Sequence, residues 1–351
     1  MSEQIKIGTR IVERNGAPFI VAEAGINHNG DVNTAFRMIE AAKQAGVDAI
    51  KFQTFKADEF VGDPNQTYTY NSQGKEVTES MLEMFRRYEF SREEWFAIKE
   101  KCDAEKILFL STPQNYSDLK LLLELGITAI KVGSDDFTNL PLLRSYADTG
   151  LPLIISCGMA DLAEVYTSLN TVGAFNGYPV ILLLCTSQYP TPENDVNLLK
   201  LRTLSNAFPH LSLGFSDHTQ GSLASSLAVS FGACFFEKHF TLNHDLPGPD
   251  HWFSENPESL KVWSDSIRSA FRMLGDPIVK PTAAEEKMKV LARRSIIALK
   301  DIEEGEVLSV RSIGLRRPGN GMEPAFFNDL LDKTSTRSIQ KGSLLQWGDF
   351  K

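Results

Sequence analysis

The sequence predicts a (β/α)8 barrel followed by a small β-rich domain. Two observations point to the barrel: short apolar runs alternate with amphipathic stretches, and every run turns polar at its C-terminal end. A third points to the second domain. Beyond residue 290 the chain changes to brief strand-like segments punctuated by Gly305, Gly319, Gly321 and Gly342.

The eight runs are Phe19–Ile26, Asp48–Phe55, Ile107–Pro113, Ala129–Ser134, Pro152–Gly158, Val180–Ser187, Leu211–His218 and Ala233–Thr241. Each is almost continuously apolar, as strands of a parallel sheet covered on both faces must be. The intervening stretches read as helices. Phe36, Ile39, Ala42 and Ala45 fall at helical spacing within 34–46, and 93–106, 160–172 and 220–232 are also helical. At 351 residues the chain is long for one compact domain, but it suits a TIM barrel of ~250 residues with an addition.

Two interruptions break the rhythm. Residues 56–88 are long and polar, with a short helical patch near 81–85, and are expected to cross the barrel mouth. Residues 242–257 contain Pro247-Gly-Pro-Asp250-His251, whose prolines suit a stiff pocket wall. The expected division is a barrel over 1–280, a charged, helix-prone linker over 281–290 and a small domain over 291–351. Strands in that last part are expected at 294–298, 307–309, 312–316 and 344–347.

Hydrophobic and charged contents of 42% and 23% are those of a soluble globular protein. A net charge of −9 argues against a nucleic-acid surface while leaving room for a basic pocket. Cys102, Cys157, Cys185 and Cys234 lack Cys-x-x-Cys spacing and read as buried thiols in a reducing cytoplasm. The N-terminus has no signal-peptide core and no apolar run reaches membrane-spanning length, so a cytoplasmic protein without membrane partners is expected.

The chemistry lies where the runs turn polar. His218 and His239 stand at the C-terminal ends of the seventh and eighth runs, 21 residues apart, with one helix between them. A strand–helix–strand unit makes their strand ends neighbours on the catalytic rim. Two imidazoles there can share a divalent ion and leave coordination positions open. A lone histidine would more simply hydrogen-bond a carbonyl, but two at one height favour the metal. Lys51 and Lys131, on the second and fourth strands, suit a phosphate or carboxylate, with hydroxyls of Thr112, Ser134, Ser156 and Ser216 around it. Glu23, the carboxylate of strand one, is a candidate for proton transfer or for positioning water.

These motifs are recognisable together. Ala22-Glu23-Ala-Gly-Ile-Asn-His28, Lys51-Phe-Gln53, Ser111-Thr-Pro, Lys131-Val-Gly-Ser134, Cys185-Thr-x-x-Tyr189-Pro-Thr, Gly214-Phe-Ser-Asp-His-Thr, Glu237-Lys-His-Phe-Thr, Pro247-Gly-Pro-Asp250 and Arg317-Pro-Gly-Asn-Gly occur in order along the chain. The sequence thereby resembles the sialic acid (N-acetylneuraminate) synthase family, including its C-terminal antifreeze-like (SAF) domain. The resemblance implies condensation of phosphoenolpyruvate with the aldehyde of an N-acylated mannosamine, giving a nine-carbon 2-keto acid and phosphate. It makes Glu23 catalytic and His218 and His239 ligands of a divalent metal, manganese first, with magnesium or cobalt as alternatives. It assigns Lys51, Thr112, Lys131, Ser134, Ser156 and Ser216 to phosphoenolpyruvate, and Gln53, Tyr189, Asp250 and Arg317 to the N-acylated hexosamine. It also implies a domain-swapped homodimer in which Arg317 enters the partner's barrel.

Some positions depart from the bacterial neuraminate synthases, where Ser187 is commonly Asn and Asp136 commonly Glu. His251-Trp252-Phe253 is bulkier than the stretch expected for plain N-acetylmannosamine. Legionaminate and pseudaminate synthases, acting on 2,4-diacetamido-2,4,6-trideoxyhexoses, are the alternative. Eight-carbon sugar acid synthases generally lack the C-terminal domain, and a non-catalytic carbohydrate- or ice-binding protein would not need Glu23 with the lysine and histidine pairs.

Overall fold

An N-terminal hairpin overlooked in the sequence closes the lower end of the barrel. The structure, a computed structural model, describes residues 4–351. Strands β1 (Ile5–Ile7) and β2 (Arg10–Val12) pair antiparallel. Buried Ile5, Ile7 and Val12 join Phe19, Val21, Ala49, Leu110, Ile154, Ile181, Leu183 and Phe235 in one apolar cluster inside the strand ring. The barrel is thus a packed core below and open only above.

The chain then alternates. β3 (Phe19–Gly25) leads through α1 (Val32–Gln44) to β4 (Ala49–Thr54). The excursion that follows carries α2 (Ala57–Phe60), a hairpin of β5 (Thr67–Ser72) and β6 (Lys75–Ser80), and α3 (Met81–Tyr88). Only its helical end near residue 81 was legible in the sequence. Next come α4 (Arg92–Glu105), β7 (Leu108–Pro113), α5 (Tyr116–Glu124), β8 (Ile130–Val132) and α6 (Leu140–Ala147). β9 (Leu153–Ser156), α7 (Leu162–Thr171), β10 (Val180–Cys185), α8 (Glu193–Val196) and α9 (Leu199–Ala207) follow. The unit ends with β11 (Ser212–Asp217), α10 (Leu223–Ser230), β12 (Ala233–His239) and α11 (Pro257–Leu274).

The eight parallel strands run in the order β7-β4-β3-β12-β11-β10-β9-β8. β7 and β8 lie side by side without a ladder, so the ring is nearly closed. Helix starts are set by local chemistry. Ser91 and Glu94 form a capping box for α4, Asp161 and Glu164 one for α7, and Asn256 caps α11 ahead of Pro257. Outward strand residues pack under these helices. Buried Phe52, for example, meets Trp95 of α4 with ring centres 6.0 Å apart, which turns its neighbours Lys51 and Gln53 inward.

The chain divides into two compact units, Met1–Gly275 and Asp276–Lys351. In the second, residues expected to form a linker build helix α12 (Ala283–Ala292), started by a Thr282–Glu285 capping box. β13 (Ser295–Ala298) and β14 (Ile313–Arg316) pair antiparallel over a core that includes Ile296, Ile302, Leu308, Ile313, Ile339 and Leu345. The strands expected at 307–309 and 344–347 are only single bridges, Val307 to Thr334 and Leu344 to Ile297. A short helix, α13 (Phe327–Leu330), completes the unit. No helix among the described residues is long and apolar enough to cross a membrane.

Candidate active site

Period two along each strand sorts the barrel interior into an apolar floor and a polar rim. On β3, Phe19 and Val21 lie in the floor and Glu23 lines the cavity above. On β12, Phe235 lies in the floor, with Glu237 and His239 above it. On β11, Gly214 takes the floor position because a Cβ would meet Leu183 and the Phe235 carbonyl at 2.4 Å. Ser216 and His218 follow it into the cavity.

That cavity has a volume of about 780 Å³, and every site residue proposed from the sequence lines it except Arg317. Arg317 lies in the second unit, where it is exposed.

The innermost groups are ionic. Lys51 Nζ is 2.5 Å from Glu23 Oε2 and 3.5 Å from Glu237 Oε2, and it donates to Thr112 Oγ1 at 3.2 Å. Lys131 Nζ lies 3.4 Å from Glu237 Oε1 and donates to Ser156 Oγ at 2.9 Å. Ser216 Oγ donates to the same Glu237 oxygen at 3.1 Å. Two lysines thus share Glu237, which sequence reasoning missed. Its signal was present: it stands two residues before His239 on one strand, hence on the same face.

Burial pushes the Glu23 carboxyl up to about 7 against the pull of Lys51, with Glu237 adding to the rise. At Glu237 burial acts the same way, but Lys131 and Lys51 outweigh it and hold the group below its usual range. Burial disfavours both ammonium groups. At Lys51 the two carboxylates overcome it and the net shift is upward, whereas Lys131 is left lowered. Gln53 donates to Glu23 Oε1 at 3.5 Å. Gly25, at φ +51, follows where a Cβ would stand 3.2 Å from that oxygen.

Ser134 lies beside the fifth strand end, where its hydroxyl accepts from the Gly158 amide at 3.0 Å. A Cβ on Gly158 would come within 2.6 Å of the Ser134 and Ser187 hydroxyls, so glycine keeps this corner open.

The histidines sit together at the rim with ring centres 5.4 Å apart. His218 Nδ1 donates to the Thr186 carbonyl at 2.8 Å, so in the neutral ring Nε2 carries the lone pair. Burial works against a charge on this ring, but neighbouring Cys185 and the Thr186 carbonyl turn the net shift of its pKa upward. His239 Nδ1 is buried without a hydrogen-bond partner. Burial, reinforced by His218, Lys51 and Lys131, holds its pKa well below the usual histidine value, so the ring is neutral. An uncharged imidazole with an unpaired buried nitrogen fits a metal ligand. Asp250 Oδ2 is 3.8 Å from His239 Nδ1, and burial raises its carboxyl to about 6 despite His218. Among the described residues no three His, Cys, Asp or Glu side chains are gathered closely enough to hold an ion by themselves. The candidate donors are therefore two imidazoles, with the rest of any coordination shell left to water and substrate. Tyr189 covers them, its ring 4.2 Å from that of His218.

The excursion and the proline-rich loop form the walls. Ile26, Phe60, Met84 and Phe85 give one side an apolar face, and Trp252 and Phe253 line another. The hairpin is tied to the proline-rich loop by Gln73 donating to the Asp245 carbonyl and by the Gly248 amide donating to Ser72 Oγ.

Comparison with known proteins accords with this arrangement. The NeuB family model matches residues 38–279 and the SAF domain model residues 293–351. The chain is 40% identical over 333 residues to N,N'-diacetyllegionaminic acid synthase of Legionella pneumophila, covering 94% of this chain and 93% of that one. It is 32% identical to pseudaminic acid synthase of Campylobacter jejuni, over 95% and 96% of the two chains. Among solved structures, N-acetylneuraminic acid synthetase of Leptospira borgpetersenii in complex with citrate superposes with a TM-score of 0.74. It is 34% identical and covers 82% of this chain and 95% of that one. Sequence, fold and cavity together place this chain in the NeuB family of synthases, as an enzyme with a C-terminal SAF domain.

Proposed function

We propose that this enzyme condenses phosphoenolpyruvate with the open-chain aldehyde of a 2,4-diacetamido-2,4,6-trideoxyhexose, forming a legionaminate-type nine-carbon 2-keto acid and releasing phosphate. The observation that carries the reaction class is the pairing of buried Lys51 and Lys131 with two rim histidines in one cavity. The sugar rests on the 40% identity to a diacetyllegionaminic acid synthase over nearly the whole of both chains, against 32% to a pseudaminic acid synthase. The apolar wall of Ile26, Phe60, Met84 and Phe85 suits a 6-methyl group better than a 6-hydroxyl. Plain N-acetylmannosamine, the first expectation from the sequence, takes second place on these grounds.

In this reading Lys51 and Lys131 hold the phosphate and carboxylate of phosphoenolpyruvate, assisted by Thr112, Ser134, Ser156 and Ser216. The methylene carbon of phosphoenolpyruvate bonds to the aldehyde carbon, water adds at the adjacent carbon and phosphate leaves. Glu23, with a carboxyl that titrates near neutrality, is suited to move a proton at the attacking water or the aldehyde oxygen. Gln53, Tyr189 and Asp250 orient the sugar. His218 and His239 would hold a divalent ion, manganese first, which when bound polarises the aldehyde oxygen. Arg317 would reach the acyl group in a partner's barrel, making a domain-swapped homodimer. The four buried thiols, none in a disulfide, suit a reducing cytoplasm. The test is phosphate release from phosphoenolpyruvate with N-acetylmannosamine, its 6-phosphate and the two diacetamido trideoxyhexoses. Release with none of them would overturn the proposal.

A further inference from the structure

Behind the two histidines, on the outer face of the same strands, lies a second buried charge cluster that the reaction does not use. Asp217 and Lys238 are register partners on β11 and β12, and each immediately precedes one rim histidine. Because side chains alternate, the pair faces away from the cavity while His218 and His239 face into it. Asp217 is 0% and Lys238 2% exposed. Lys238 Nζ is 3.1 Å from Asp217 Oδ2 and 3.6 Å from Glu255 Oε1.

The cluster's hydrogen bonds all run to the segments that follow the histidines. Lys238 donates to the Thr219 carbonyl and, at 3.0 Å, to the Gly221 carbonyl. Asp217 Oδ1 accepts from the Thr219 amide at 2.8 Å and hydroxyl at 2.7 Å, and Oδ2 from Ser225 Oγ at 2.5 Å. Ser225 is fixed in turn by the Trp263 indole at 2.9 Å. Glu255 Oε1 accepts from the Gly221 amide at 3.2 Å. The Glu255 backbone bonds to the His239 carbonyl and the Thr241 amide, both at 2.8 Å, where the loop carrying Asp250 returns.

Burying three ionised groups is a poor route to stability, since well-packed apolar residues often serve as well or better. What such a network supplies is one fixed geometry, when all its members are satisfied. We infer that Lys238 is a positioning residue, holding the His218 strand end, the His239 strand end and the Asp250 loop in one register from behind the barrel wall. This inference rests on the reading of His218 and His239 as metal ligands. It adds that their spacing is set by the ion pair one residue before each of them.

The test uses the full chain with Lys238→Met, which keeps the side-chain length and removes the charge. Two readouts need no turnover: Mn2+ affinity, from the spin resonance of free Mn2+, and the imidazole nitrogen signals of His218 and His239 in metal-free protein. The expected result is a loss of ~10-fold or more in Mn2+ affinity, in the range typical of groups supporting a metal ligand. The His218 and His239 signals should shift while that of exposed His210 does not. The Michaelis constant for phosphoenolpyruvate should stay within ~3-fold, because Lys51 and Lys131 stand on other strands. Should Lys238→Met fail to fold, Asp217→Asn with Lys238→Met removes both charges and carries the same expectations, and Glu255→Gln gives a milder version. A folded variant with Mn2+ affinity within ~2-fold of the parent and unmoved imidazole signals overturns the inference. So does a parallel loss of Mn2+ and phosphoenolpyruvate binding, which would mean general loosening. His239→Ala serves as the control: if it binds Mn2+ like the parent, the metal reading has failed, and the imidazole signals alone then judge Lys238.

Discussion

Lys51 and Glu23 form a buried ion pair, 2.5 Å apart, on adjacent strands at the same level of the barrel. The ammonium is thereby held between Glu23 and Glu237 before any anion enters. In the proposed reaction an anionic substrate takes over a lysine that already has carboxylate partners, and Glu23 is the partner proposed for proton chemistry.

Glu23→Gln keeps the shape and removes the charge. The expected outcome is retained phosphoenolpyruvate binding with a loss of ~100-fold or more in kcat. Isothermal titration beside steady-state kinetics checks it, and a near-parental kcat would reassign Glu23 to structure.

Lys131 donates to Ser156 and faces Glu237. Lys131→Met should raise the Michaelis constant for phosphoenolpyruvate ~10-fold or more, and that for the sugar much less. Equal rises in both constants would argue against an anion cradle.

His28 offers a pH test away from the reacting groups. It is fully buried, stacked on Phe90 at 4.2 Å, with Nε2 unpartnered. Burial lowers its pKa to about 3 from 6.5, His251 adding to the effect. Below 6.5 the unfolded chain binds a proton at this site that the folded chain refuses, so folded stability falls as pH drops from 6.5 toward 3. The slope from this one group approaches ~1.4 kcal/mol per pH unit. Denaturant melts between pH 7 and pH 4 should show a shallower acid dependence for His28→Leu than for the parent, whatever the variant's stability at pH 7.

Arg317 is exposed on the second unit. If it serves a partner's barrel, mixing inactive Glu23→Gln and Arg317→Ala chains gives heterodimers with one site carrying both defects and one carrying neither. Activity should reappear on subunit exchange. Heterodimers that form and stay inactive would place the arginine in its own chain's site.

The barrel was legible because its strands are buried on both faces, so Val180–Cys185 reads as an unbroken apolar run and Ala233–Phe236 as another. The rim was legible because each run ends in groups that no core would choose. The β5–β6 hairpin was not, since Thr67–Ser72 is largely exposed and its aromatic alternation is confined to Tyr68 and Tyr70. Gln73-Gly74 was a further turn signal, and in the structure the two residues take φ of +52 and +74. The N-terminal hairpin is three residues per strand, too short for a periodic signal. In the sequence Glu237 and Lys238 are two charges beside a histidine, and strand pairing shows that one faces Lys131 and the other Asp217. In the second unit the small core fixes positions such as Leu308 and Leu345 without continuous ladders, so strand-like sequence there yields single bridges.

The most direct test of the proposed reaction is the specificity ratio, kcat/KM for 2,4-diacetamido-2,4,6-trideoxymannose over that for N-acetylmannosamine, measured by phosphate release at saturating phosphoenolpyruvate. A sugar that fills the apolar wall and supplies a second acetamido group should be favoured by ~100-fold or more. A ratio at or below one would contradict the diacetamido assignment and return N-acetylmannosamine to first place.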